Sequence, residues 1–146
     1  MQLGINYTVH AVSIGGSLAD LEIRFTTSGS IRSCNGVQLV RAGGGGIGFN
    51  YCSANPNSTG ATGSISATGS ASVASNDLTL VASNLPNDAY GVFITSEMMT
   101  SIPNHAGSQG VLCVGNPAGR FVGPGQVKNS GATGTFSLQI DLTQIP

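Results

Sequence analysis

The chain has 146 residues, enough for one domain of ordinary size or for a small domain with part of a neighbour. Only 8% of residues are charged, against a usual figure of about 25%, and the formal net charge is -1. The five cations (Arg24, Arg32, Arg41, Arg120, Lys128) form no basic stripe, which disfavours nucleic-acid binding, and two glutamates leave too few charges for the solvated face of a helical bundle.

Gly 22, Ser 18 and Thr 12 favour short strands joined by many turns, while 40% hydrophobic residues and a positive mean hydropathy argue against disorder. Residues 1–4 lack a basic, apolar leader, and no run of about 18 apolar residues suits a membrane span, so an export signal is expected upstream if the chain is secreted.

Residues 5–14 read as a strand with Ile5, Tyr7 and Val9 on one side. Residues 18–27 alternate cleanly: Ala19, Leu21, Ile23 and Phe25 share one face, and Asp20, Glu22 and Arg24 share the other. Gly15, Gly16 and Ser17 between them predict a hairpin. A short strand follows at 37–40, and the glycine run 43–46 reads as a hinge or linker. It is no phosphate loop, since no Lys-Ser/Thr follows.

After a polar loop at 55–60, strands are expected at 64–69, 77–82, 90–95, 111–114 and 135–142. The last is the clearest, with Phe136, Leu138, Ile140 and Leu142 inward and Ser137, Gln139 and Asp141 outward. Residues 84–88 form a turn-rich link. Strands at this spacing indicate an all-β, antiparallel β-sandwich, Ig-like or jelly-roll-like, with long Gly/Ser/Asn loops.

Catalytic patterns are weak. Serines abound without a G-x-S-x-G, neither His10 nor His105 has an acidic neighbour in sequence to orient it, and His105 reads as a loop residue. Asp20 and Glu22 share a solvent face. Asp77 and Asp88, with Asn76 and Asn87, are candidate calcium ligands if they meet at one end of the sandwich, although EF-hand spacing is absent. Arg120 and Phe121, in a loop flanked by glycines, form a candidate ligand loop. Cys34, Cys52 and Cys113 form no CxxC and lie far from the histidines in sequence, so a standard zinc site is unsupported; in a secreted β-domain they read as one pair plus one leftover.

Several stretches carry a resemblance: Tyr51-Cys52, residues 56–60, 76–80, 107–113, 119–121, 123–126, 129–134, 136–138 and 141–143. In combination they make residues 50–146 similar to an uncharacterised accessory domain found near the C-termini of large secreted proteins of aquatic bacteria. The resemblance implies an extracellular location and a Cys52–Cys113 disulfide, leaving Cys34 free or paired between chains. A Cys34–Cys52 pair is the alternative, since the two are close in sequence. Similar domains continue into a tryptophan-containing segment. This chain has no Trp and stops at Pro146, so by that comparison its last strands are expected to be missing.

The expected organisation is a β segment at 1–42, either the end of a preceding module or complementing strands, then a linker at 43–50 and the sandwich at 51–146. The expected function is a non-catalytic structural or interaction module of a secreted or surface bacterial protein, self-associating by strand complementation. Its expected partners are domains of its own parent protein or other copies of itself. A carbohydrate- or calcium-binding accessory module is the alternative, with calcium as the one candidate cofactor.

Overall fold

The computed structural model describes residues 6–14, 23–26, 47–48 and 50–146. The expected strand at 37–40, the glycine run 43–46 and Cys34 lie outside them. The described chain is all-β and antiparallel. Its strands are β1 (Asn6–Ile14), β2 (Ile23–Thr26), β3 (Ser64–Thr68), β4 (Thr79–Ser83), β5 (Tyr90–Ser96), β6 (Met99–Pro103), β7 (Val111–Val114), β8 (Gly119–Arg120), β9 (Lys128–Asn129) and β10 (Phe136–Gln139).

One sheet runs β2-β1-β5-β8, with β9 also pairing β5. Of the hairpin expected near the N-terminus, the strand pairing is seen, with Tyr7 opposite Phe25 and Val9 opposite Ile23, while its turn at 15–17 and residues 18–22 lie outside the described residues. β1 then pairs with β5 from Thr8↔Ser96 to Ile14↔Tyr90. A second, three-stranded sheet has the order β10-β4-β3. The β6–β7 hairpin forms a separate two-stranded unit.

The core lies between the two larger sheets. Alternation on β10 sends Phe136 and Leu138 inward and leaves Ser137 and Gln139 exposed; Ile140 and Leu142 continue the buried row beyond it. They pack with Ile65, Ala67, Leu78, Leu80, Ala82, Leu85, Phe93 and Phe121. The Phe93 and Phe136 rings meet edge to face, with centroids 5.3 Å apart.

β5 differs from its neighbours because both of its faces are covered. Phe93 enters the main core, while Val92 and Ile94, on the other face, pack with Val114 and Leu112 of β7. The contiguous apolar run Val92-Phe93-Ile94 is the sequence counterpart of a strand buried on both sides.

The loops are tied down by amide and hydroxyl side chains. Buried Asn57 accepts from the Thr59 N–H (2.9 Å) and hydroxyl (2.7 Å) and donates to the Asn84 carbonyl (2.6 Å). The 55–60 loop is thereby fixed to the end of β4. Truncating Asn57 leaves those groups without their partner, so Asn57→Ala is expected to cost about 1–3 kcal/mol in urea unfolding. A variant as stable as the parent would mean that water replaces the side chain. Ser130, also buried, accepts from the Ala89 N–H (2.9 Å) and donates to the Pro86 carbonyl, fixing the β4–β5 link. Gly134, at φ 63°, comes so close to the Leu85 backbone that a Cβ there would collide with it.

Candidate functional site

Among the described residues, no group of three His, Cys, Asp or Glu side chains is placed to hold a metal ion. The two candidate calcium ligands do not meet. Asp77 lies just before β4 and accepts from the Ser70 N–H (2.9 Å). Asp88 lies beyond the other end of β4, where its own N–H donates to the Gly131 carbonyl (2.9 Å). The expectation that they share one end of the sandwich is corrected for a simple reason: an intervening strand separates its own two flanks.

Asn76 has a structural task. Its amide nitrogen donates to Asp141 (3.0 Å), and its oxygen accepts from the Leu142 N–H (2.7 Å). The Thr143 hydroxyl and N–H hold the Asp141 carboxyl below its ordinary value, with smaller help from Asn76 and Gln144. Its charged form is therefore favoured on folding. That contribution is complete above the ordinary carboxylate value and is lost as pH falls through the lowered one.

Cys52 and Cys113 form a disulfide, with Cα atoms 6.2 Å apart across 61 residues. Cys113 is fully buried and projects from the face of β7 opposite to Leu112 and Val114. The neighbouring Tyr51 hydroxyl donates to the Cys113 carbonyl. Two adjacent residues thus clamp the segment before β3 onto the β6–β7 hairpin.

Arg120 and Phe121 are adjacent in sequence, but alternation sends them to opposite sides. Phe121 is 2% exposed in the main core and has no ligand-facing surface. Arg120 stands opposite Ile94 in the β5–β8 ladder and reaches the other face of that sheet, where a cavity of about 450 Å³ opens. Val92 and Ile94 form one wall and Leu112 and Val114 another, with Ile102, Val122 and Val127 nearer solvent. His105, in the one-turn helix His105–Gly107, is exposed at the same cavity, and Asn116 adds an amide. No carboxylate and no Phe, Tyr or Trp ring lines it among the described residues.

No protein-family model, curated protein or solved structure matches the chain. The cavity must therefore be read from its own chemistry. Its lining comes from β5, β6, β7, β8 and the loops around them; of these residues the sequence offered Arg120 as a ligand candidate and His105 only as a loop residue. The findable signal was the Val92-Phe93-Ile94 run, since a strand apolar on both faces needs a second covering layer. Ile102 lies in β6, a strand whose mixed polarity and terminal proline give little β signal.

Proposed function

We propose that this chain is a non-catalytic, disulfide-braced interaction module of a secreted or surface bacterial protein, whose N-terminal hairpin complements the sandwich and is exchangeable between copies. The observation that carries this reading is the seven-residue ladder between β1 and β5. β5 is the strand on which both covering layers depend. Twenty sequence positions, 27–46, separate the hairpin from Ile47, and four of them are the consecutive glycines 43–46. A connection of that length and composition permits the same ladder to form within one chain or between two.

The extracellular setting is supported by the Cys52–Cys113 bond and by the resemblance of residues 50–146 to secreted accessory domains. No helix among the described residues is long and apolar enough to cross a membrane.

The test removes residues 1–42. The shortened chain is expected to melt at a lower temperature and to self-associate in sedimentation, because one edge of β5 loses its partner. Adding a peptide spanning residues 6–26 should restore both the monomer and the melting temperature. A shortened chain that remains monomeric and equally stable would show that the hairpin completes nothing.

A further inference from the structure

We propose that the cavity between β5 and the β6–β7 hairpin binds a small amphiphilic carboxylate, with its alkyl chain on Val92, Ile94, Leu112 and Val114 and its head group at Arg120. The cavity, at about 450 Å³, falls within the range of small-molecule sites and has their usual make-up, a mostly apolar wall with a few polar groups at one margin. Val92, Ile94 and Val114 are buried side chains fixed in strands, so the deep wall is preformed. At the mouth, Val122 (58% exposed) and Val127 (44%) hold apolar surface in water that an alkyl chain would cover.

The chemistry of the head group follows from charge. Arg120 is the permanently charged residue of the lining, and its guanidinium makes no ion pair or hydrogen bond with any described residue. A planar guanidinium matches a carboxylate in bidentate geometry. Among the described residues the lining presents no acidic side chain to compete with or repel a bound carboxylate. A sugar would find no Phe, Tyr or Trp platform among the described lining residues, and a cation would meet Arg120. The occupant is thus apolar along most of its length and anionic at one end.

The experiment is a titration of the intact, oxidised protein with decanoate below its micellar concentration, followed by calorimetry and by amide chemical shifts. The expected result is one molecule bound per chain, with shifts concentrated at Val92–Ile94, Leu112–Val114 and Arg120. Decanol, which lacks the charge, and the Arg120→Gln variant with decanoate should each bind about tenfold more weakly, the scale of one charge-assisted contact. Val122→Asp, at an exposed position of the mouth, removes apolar surface for both ligands but adds repulsion for one, so it should weaken decanoate more than decanol. Lys128→Gln, which keeps the net charge of the Arg120→Gln variant without touching the cavity, should bind as the parent does. Stoichiometry well above one, shifts scattered over the surface, equal binding of decanol, or full affinity in Arg120→Gln would overturn the proposal. So would a cavity filled by a second copy, seen as concentration-dependent sedimentation together with the same shifts in the absence of ligand.

Discussion

Ile140→Asp is expected to remove most of the stability of the fold, whereas Gln139→Asp, one residue away, should be nearly neutral. Ile140 is 2% exposed, its N–H donates to the Leu78 carbonyl (3.0 Å), and its side chain sits among the buried residues of the main core. An aspartate there has no cation to pair with inside that apolar cluster. Either it stays charged, at a cost of roughly 3–5 kcal/mol, or it takes up a proton and still leaves a polar group in place of a branched alkyl one. Domains of this size have about 5–15 kcal/mol of stability in all, so the loss is a large share of the total. Gln139 is exposed and makes one long contact, to the Asn76 carbonyl at 3.5 Å. Its replacement should fall within about 0.5 kcal/mol of the parent. Urea unfolding of both variants measures the contrast, and Ile140→Ala, expected to cost about 2–5 kcal/mol, supplies a graded version if the charged one does not fold. Similar damage at 139 and 140 would mean that both faces of this segment are covered.

The same alternation explains how much of the fold was legible in the sequence. In β10 a clean period of two placed Phe136 and Leu138 inside and Ser137 and Gln139 outside, as found. The expected bounds of β7, 111–114, coincide with those observed because an apolar run there ends at glycine on both sides. β4 was expected from 77 but begins at Thr79, because Asp77 serves the turn at Ser70. β8 and β9, two residues each, carry no pattern of their own; they are strands because β5 offers them backbone groups to pair with. β6 was not expected at all. Ser101 and Pro103 interrupt its apolar residues, and its pairing with β7 shifts register between Met99 and Ile102.

The candidate site was legible to a lesser degree, for a related reason. A cavity is a property of several elements at once, whereas sequence patterns report one element at a time. Arg120 drew attention as a lone cation among glycines, but its partner in that reading, Phe121, belongs to the core because neighbouring strand residues face opposite ways. Asp77 and Asp88 looked alike as acidic turn residues, yet they flank opposite ends of β4, Asp77 held there through its carboxylate and Asp88 through its backbone N–H. The residues that form the cavity wall were visible only as unremarkable valines, leucines and isoleucines. Their significance depends on the second covering layer over β5, which no single strand reveals.

Breaking the Cys52–Cys113 bond is expected to lower stability by about 4 kcal/mol, the chain-entropy figure for a loop of 61 residues. The bond encloses β3, β4, β5 and β6 and ends on β7, so its loss frees most of the sandwich in the unfolded state. In the folded state its absence also loosens the clamp that Tyr51 and Cys52 place on the hairpin forming one wall of the cavity. The suitable variant is Cys52→Ser with Cys113→Ala, because Cys113 is fully buried and a serine there would hide a hydroxyl. Its urea midpoint should fall well below that of the oxidised parent and close to that of the reduced parent. Peptide mapping without reductant should recover residues 52 and 113 in one linked species and leave Cys34 open to alkylation. A linked Cys34–Cys52 peptide, or a double variant as stable as the oxidised protein, would show that the brace is not the one that holds this fold.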